Sequence, residues 1–314
     1  MRHDVLPYND YGGAMRQRLG GRIQKLALDA AMSCPNRDGT VAYGGCTFCL
    51  DAAFSPSYCR EAKSITAQID RALAFHHSRG RHGDIYIAYF QAGTSTNSPI
   101  EHLEKVYIEA LSHPAISGII ISTRPDCIDS QKLDLLEQLS HRYFVAVEYG
   151  IESVYDTTLS RVNRGHNFAT AVDAVAATRK RGITTGAHFI IGLPGESHND
   201  IIDSVTNINT LNLDTIKFHQ LQIYRNTPIA KEWAERPEEF LFSSGDTHEN
   251  YISLIIDILR RLNPHTAVDR IVTTAPRHLL LASPLDGIRP DVVRNEVVKR
   301  MIKENIRQGD LFIR

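Results

Sequence analysis

The sequence predicts an α/β protein whose parallel sheet curls into a partial (βα)6 barrel, followed by a small C-terminal α+β extension. Three observations support this fold class. Short apolar runs rich in β-branched residues alternate with longer amphipathic stretches over most of the chain. Several of these runs are apolar throughout, as expected for parallel strands covered on both faces. The alternation stops after Tyr224, which marks the end of the predicted barrel.

The six predicted strands and five intervening helices follow one another in strict order. The strands are 23–28, 85–90, 118–122, 144–148, 186–191 and 215–223. The helices are 65–79, 99–112, 130–139, 168–181 and 199–211. Ser64 can cap the start of the first helix, and Gly182 follows the fourth helix where a C-cap belongs.

The part of the chain after residue 225 has a different pattern. It contains an amphipathic helix at 251–262, a strand at 267–273 and a charged amphipathic helix at 291–306. The predicted division is therefore an N-terminal segment over 1–21, a barrel over 22–225 and an extension over 226–314.

Composition limits the function classes. The 314 residues are 42% hydrophobic and 23% charged, as is usual for globular proteins. A net charge of −1 argues against coating nucleic acid by bulk charge, although both ends of the chain are mildly basic. No apolar run approaches the roughly 20 residues of a membrane span, and the start lacks a secretory pattern. We therefore expect no membrane association and a cytoplasmic location.

Three of the five cysteines lie in one loop directly after the first predicted strand. Cys46 and Cys49 form a Cys-x-x-Cys pair, and Cys34 lies across a glycine-rich turn. Disulfides are rare in reducing compartments, so this crowding favours metal or redox chemistry. Three thiolates can hold a four-iron cluster with one iron open. A non-catalytic zinc-binding protein with Cys59 as fourth ligand, or chance clustering, remains possible from the spacing alone.

Further motifs follow the successive predicted strands. They occupy residues 91–96, 122–126, 148–153, 163–166 and 188–196. Together with the stretched cysteine interval and Phe48, this ordered series resembles the radical S-adenosylmethionine (SAM) superfamily. Within it, the chain is most similar to the Elongator-catalytic-subunit-like branch and to the bacterial YhcC-type family.

The resemblance implies a cofactor pair. Cys34, Cys46 and Cys49 would hold a [4Fe–4S] cluster whose open iron is chelated by SAM. Reduced flavodoxin or ferredoxin would supply one electron, and reductive cleavage of SAM would give a 5′-deoxyadenosyl radical that abstracts hydrogen from a substrate. The protein would orient the cofactors and exclude solvent.

The resemblance also implies a set of SAM-binding residues. Phe48 would pack near the adenine, and Arg164 would hold the SAM carboxylate with its planar fork. His188 departs from the family, in which other polar residues are common at its position. The full set is Phe48, Gly93, Thr94, Ser122, Glu152, Arg164, His188 and Ile190.

Candidate substrate-facing residues come from the third and sixth strands. Lys217 and His219 alternate on the sixth strand, so both are predicted to face the barrel interior, although Lys217 could equally make a structural ion pair. Cys127 follows the third strand and is either a thiol reductant or a packing residue.

The substrate suggested by the resemblance is tRNA, because relatives in this branch modify tRNA bases. The basic final helix offers RNA-facing candidates, with a solvated helix face as the alternative. These candidates are Arg294, Lys299, Arg300, Lys303 and Arg307. A small metabolite or a protein substrate stays open.

Overall fold

Seven parallel strands form one curled sheet at the centre of the computed structural model, which describes residues 6–50, 56–60, 62, 64–285 and 287–313. The sheet contains β1 (Ile23–Leu28), β2 (Ile85–Phe90), β3 (Ile116–Thr123), β4 (Phe144–Glu152), β5 (Thr184–Ile191), β6 (Thr215–Gln220) and β8 (Ala267–Arg270), in that spatial order. Two short strands, β7 (Ile223–Tyr224) and β9 (Leu280–Ala282), pair antiparallel beside it. The predicted fold class is confirmed.

Two predicted strands extend past the residues at which the observed strands end. The predicted strand 215–223 is interrupted, because β6 ends at Gln220 and the backbone N–H of Leu221 bonds to Ile191 O (2.9 Å) before β7 begins. The predicted strand 267–273 ends earlier, at Arg270, and pairs in parallel with β6 in the main sheet. The sheet therefore has seven strands rather than six, and part of the predicted extension contributes to it. The predicted domain boundaries themselves stay a prediction.

Helices cover the outer face of the sheet. They are α1 (Tyr11–Leu19), α2 (Ile65–His77), α3 (Ile100–Leu111), α4 (Ser130–Ser140), α5 (Asp156–Arg161), α6 (Phe168–Lys180), α7 (His198–Thr210), α8 (Pro228–Glu235), α9 (Thr247–Arg261) and α10 (Pro290–Lys303). Among the helices described, none combines the length and apolar character that crossing a membrane requires.

The two faces of the sheet have different surroundings. Outward-facing residues such as Ile119 and Val147 belong to the main apolar core under the helices. Their neighbours Ile120 and Ala146 point the other way and pack with Ile87 inside the curl. This alternation follows from the two-residue period of a strand. It places every second side chain near the strand ends inside the partial barrel.

The two edges of the curled sheet meet through side chains. Lys25 on β1 and Asp269 on β8 form an ion pair of 2.6 Å between Nζ and Oδ2. The ammonium of Lys25 also lies 4.0 Å from the ring centroid of Tyr11, the first residue of α1. The N-terminal helix and the last sheet strand thus close the barrel around one lysine.

Candidate functional site

A cavity of about 540 Å³ opens at the carboxyl ends of the strands. Its lining comes from the loop after β1 and from the ends of all the other strands of the sheet. All the predicted ligand and cofactor residues and two of the three substrate-facing candidates lie in its wall: Cys34, Cys46, Phe48, Cys49, Gly93, Thr94, Ser122, Glu152, Arg164, His188, Ile190, Lys217 and His219. The remaining candidate, Cys127, is not among the lining residues.

The cysteine loop is anchored by a buried asparagine that the sequence did not nominate. The side-chain amide of Asn36 donates to the carbonyl oxygens of Asn163 (2.5 Å) and Arg164 (2.9 Å), and its Nδ2 lies 3.4 Å from Cys46 Sγ. In return, Asn163 Nδ2 donates to Gly45 O (2.8 Å). These reciprocal bonds tie the thiol-bearing loop to the segment after α5.

Glycine is required where this segment touches the loop. Gly165 has a φ of +79°, and a Cβ there would lie 2.4 Å from Asn36 Oδ1. A second close approach occurs at Gly93 (φ +67°), where a Cβ would lie 2.4 Å from the carbonyl oxygen of Met32. Only glycine combines this backbone conformation with such contacts. Both glycines therefore allow close contact with the loop from Met32 to Cys46, Gly93 from the end of β2 and Gly165 from the segment after α5.

The thiols fit an iron–sulfur cluster. Cys46 is buried and Cys34 and Cys49 are half-buried, all on one cavity wall. Within the described chain, no three His, Cys, Asp or Glu side chains are grouped closely enough to share a single metal ion. A four-iron cluster places no such demand, because each thiolate binds a different iron. Soft thiolates are also the ligands that such clusters take.

Two other cysteines lie apart from this wall. Cys59 is buried with Sγ 3.6 Å from Ala27 O, and burial raises the pKa of its thiol to about 11. Burial likewise raises the pKa of Cys127 to about 12, and its carbonyl accepts a bond from Thr96. Neither thiol lines the cavity. The four thiols of the zinc alternative are therefore not gathered on one wall of it.

Arg164 contacts the buried thiol, and Glu152 and Arg124 lie in the same cavity wall. Arg164 Nη1 lies 3.5 Å from Cys46 Sγ, and Nη2 lies 3.7 Å from Glu152 Oε1 and donates to Gly150 O. Burial raises the pKa of Glu152, against the opposing effect of Arg164. Arg164 Nε and Arg124 Nη1 are buried without hydrogen-bond partners. Such donors fit the carboxylate of SAM, because a buried polar group without a partner is costly.

A network of four charged side chains lies in the barrel interior. Lys217 Nζ lies 2.5 Å from Glu148 Oε2, 2.9 Å from Tyr89 OH and 3.4 Å from Asp269 Oδ2. Lys25 Nζ contacts the same two carboxylates, at 3.4 Å and 2.6 Å. Lys217 therefore both makes the ion pair and lines the cavity. Sequence reasoning missed Lys25, Tyr89 and Asp269, although a charged residue within an apolar strand was an available signal for Lys25 and Asp269.

Electrostatics in this network follow from burial and pairing. Burial opposes ionisation of Glu148, but Lys217 and Lys25 hold its pKa well below the usual value. Burial lowers the pKa of Lys217 to about 8, although Glu148 and Asp269 act in the opposite direction. The network thus balances two cations against two carboxylates inside the barrel.

Two neutral histidines lie above the network. His188 Nε2 is 3.1 Å from Glu148 Oε2, and since a carboxylate only accepts, this nitrogen carries the proton. Burial and the charge of Lys217 lower the pKa of His188 to about 4. Burial and His188 lower the pKa of His219 well below its usual value, and the two rings lie 5.4 Å apart between centroids. Both imidazoles offer hydrogen bonds without adding charge at neutral pH.

The sequence is similar to known families and proteins of the radical SAM superfamily. The sequence profile of the radical SAM superfamily matches residues 39–208, and that of the radical SAM C-terminal domain matches residues 213–303. Protein YhcC of Escherichia coli K12 is 36% identical over 87% of this chain and 86% of its own. The uncharacterized protein YtqA of Bacillus subtilis is 33% identical over 98% and 93%.

More distant similarities point to the same branch. A tRNA uridine(34) acetyltransferase from Dehalococcoides mccartyi is 24% identical over 60% of this chain and 40% of its own. Among solved structures, the archaeal Methanocaldococcus infernus Elp3 with an N-terminal deletion superposes with a TM-score of 0.66 at 18% identity. That match covers 91% of this chain and 64% of the Elp3 chain, and it supports the fold.

Proposed function

Because this chain belongs to the radical SAM superfamily, in its Elongator-like branch near YhcC, we propose that it cleaves SAM reductively to modify a tRNA. Members of the superfamily use a [4Fe–4S] cluster and SAM. The observation that carries the proposal is the single cavity lined by Cys34, Cys46 and Cys49 together with the strand ends. The assignment of these three thiols as cluster ligands is part of the proposal.

The cofactor pair would supply the radical chemistry, by one-electron cleavage of SAM to a 5′-deoxyadenosyl radical. The chain's own residues hold and orient the site. Asn36 and Arg164 direct N–H groups towards the sulfur of Cys46, which would stabilise its thiolate. The unpartnered nitrogens of Arg124 and Arg164 are the candidate donors to the carboxylate of SAM.

An apolar cover lies on one side of the thiols. Phe48 and Ile190, both in the cavity wall, pack against Leu193, Leu221 and Ile229. This arrangement supports an adenine-binding role for Phe48 and Ile190, because aromatic and aliphatic faces stack well on a purine. It also excludes water from the thiol side of the cavity.

The tRNA part of the proposal rests on the branch and on the basic final helix. The side chains of Arg294 and Arg300 are engaged by Asp10 (3.0 Å) and Glu249 (2.5 Å), which favours the alternative of a structural role for these two. Lys299, Lys303 and Arg307 are the remaining RNA-facing candidates. Reduced flavodoxin or ferredoxin as electron donor and a cytoplasmic location complete the proposal.

The decisive experiment is anoxic reconstitution with iron and sulfide, followed by addition of SAM. We expect the electron paramagnetic resonance spectrum of the reduced cluster to change when SAM is added, and dithionite to yield 5′-deoxyadenosine. A fully iron-loaded protein whose spectrum ignores SAM would overturn the proposal. The tRNA assignment is tested separately by mass spectrometry of tRNA nucleosides from cells with and without the gene; identical nucleoside profiles would exclude it.

A further inference from the structure

Arg270 differs from other cations of the cavity wall. It is the last residue of β8, is exposed, and lies opposite Lys217 in the register between β6 and β8. Its guanidinium donates to Thr273 Oγ1 at 3.4 Å, and among the described side chains no carboxylate lies within ion-pairing distance of it. The cavity therefore presents a guanidinium that lacks an anionic partner in the described part of the chain.

Three other cations of the cavity wall each lie close to a carboxylate. Arg124 Nη2 lies 2.7 Å from Asp126, and Lys217 Nζ lies 2.5 Å from Glu148. Arg164 lies 3.7 Å from Glu152. The carboxylate next to Arg270 in sequence, Asp269, is turned inward to Lys25 and Lys217. Arg270 is thus the member of this set whose charge is left for a ligand.

Among the described residues, the nearby carboxylates Asp269 and Glu148 are both engaged by lysines and are not paired with Arg270. Its electrostatic neighbours include His188, His219 and Lys217, which are neutral or positive. The neighbouring amides of Gln220 and Gln222 are directed to the carbonyl oxygen of Thr273. At the thiols, the cation in contact with Cys46 is Arg164.

We propose that Arg270 is the binding subsite for an anionic group of the substrate, either a carboxylate or a phosphate. A carboxylate is planar and a phosphate is tetrahedral, and a guanidinium group can bind either one through two parallel hydrogen bonds. The anion site itself rests on the structure of the cavity, and its assignment to substrate rests on the proposed function. Arg270 holds the substrate and takes no part in proton or electron transfer.

The test uses arginine labelled with ¹⁵N in the cluster-loaded protein saturated with SAM. Sodium phosphate and sodium acetate are titrated separately at ionic strength balanced with sodium chloride, while the side-chain Nε–H signals are followed. The Arg270→Gln variant identifies the signal of Arg270. Arg142→Gln, which removes an exposed arginine at the opposite end of β4, is the control of equal charge change.

We expect the Arg270 signal to shift saturably with one of the two anions, and the preferred anion identifies a phosphate-bearing or a carboxylate-bearing substrate. Anion affinity should fall about tenfold or more in Arg270→Gln and less in Arg270→Lys, as expected for a lost charge-assisted pair. SAM affinity should be unchanged in both variants.

Two outcomes would overturn the proposal. One is an Arg270 signal that responds to neither anion, or that responds equally to phosphate, acetate and chloride. The other is a tenfold loss of SAM affinity in Arg270→Gln, which would assign the residue to the cofactor. Failure of the proposed function is recognised separately, because it would leave the cluster spectrum unaltered by SAM.

Discussion

Cys46 is the candidate ligand that the protein holds most firmly. It is 4% exposed and receives N–H groups from Asn36 and Arg164. Cys59 is similarly buried, at 5%, but its sulfur contacts the carbonyl oxygen of Ala27 on β1. The two residues form a matched pair, since each replacement removes one buried thiol.

We expect Cys46→Ala to lose most of the cluster and Cys59→Ala to retain about four irons per chain with the absorption at about 400 nm. Iron and sulfide analysis after anoxic reconstitution measures this difference. In a zinc protein with four thiolates, both variants would lose the metal. Equal loss in the two variants would therefore contradict the cluster assignment.

Gly93 provides a test of the close approach between the turn after β2 and the cysteine loop. Its φ is +67°, and a Cβ would lie 2.4 Å from Met32 O. Gly80 has a comparable φ of +64°, but a Cβ added there would meet no atom within 4 Å beyond its chain neighbours. The two glycines therefore share the backbone requirement but differ in the steric one.

We expect Gly80→Ala to lower the free energy of unfolding by about 1 kcal/mol, the cost of a left-handed alanine. Gly93→Ala should cost about 3 kcal/mol or more, because the backbone must also move. Urea unfolding at equilibrium measures both. Equal costs at the two sites would show that the contact with Met32 does not constrain the loop.

Some site residues could be predicted from sequence and others could not. The thiols and Arg164 were nominated because their chemistry and their order after strands are visible locally. Asn36 was missed because its partners, Asn163 and Arg164, are distant in sequence. Nothing local distinguishes a buried asparagine that bridges two loops from an ordinary turn residue.

At the level of elements, apolar periodicity predicted the central strands and the helices packed on them. Burial of one face of an element requires apolar residues at regular spacing, and this spacing is visible in the sequence. Helix α1 was missed because Gly12 and Gly13 interrupt it and its buried residues are few, Tyr11 and Met15. The end of β6 was misplaced because Leu221 and Ile223 are buried on either side of a bend.

The segments that follow β4 and β5 are also connected by a hydrogen bond to the carboxyl group of Glu196. Ser153 Oγ, just after β4, donates to Glu196 Oε1, after β5, at 2.5 Å. Burial raises the pKa of Glu196 to about 7, against the smaller effects of the hydroxyls of Ser153 and Thr158. The folded protein therefore binds this proton more tightly than the unfolded chain does.

The sign of the pH effect follows. This contribution to stability is fully present below the unfolded pKa of about 4.3 and is lost as pH rises through about 7. Glu196→Gln removes the titrating group and keeps a hydrogen-bond acceptor for Ser153. The free energy of unfolding of the variant, relative to that of wild type, should therefore rise by about 1–3 kcal/mol from pH 5 to pH 8. Urea unfolding across this range measures it, with Glu104→Gln on the exposed face of α3 as control. A difference independent of pH would contradict the assignment.

At the scale of the whole molecule, the curled sheet depends on contacts between its first and last strands. Lys25 and Asp269 are 244 positions apart in sequence, so no local pattern could reveal that β1 and β8 meet. Hydrophobic patterning predicted a parallel barrel but assigned the strand at 267–270 to an extension. The strand joins the sheet through its parallel pairing with β6 and contacts β1 through the Lys25–Asp269 ion pair, and both contacts are tertiary.

Closure by Lys25 and Asp269 can be measured with a double-mutant cycle. Lys25→Met and Asp269→Asn should each destabilise the protein by about 3–5 kcal/mol, because each leaves the half-buried network of two cations and two carboxylates with one charge unbalanced. The double variant should be more stable than the sum of these losses implies, with a coupling of about 0.5–3 kcal/mol.

The exposed pair Arg289–Asp291, at 2.8 Å, is the control and should couple by less than about 1 kcal/mol. Urea unfolding of both cycles measures the two couplings. If they were equal, the Lys25–Asp269 pair would count as an ordinary surface contact, and closure of the barrel would have to come from apolar packing alone.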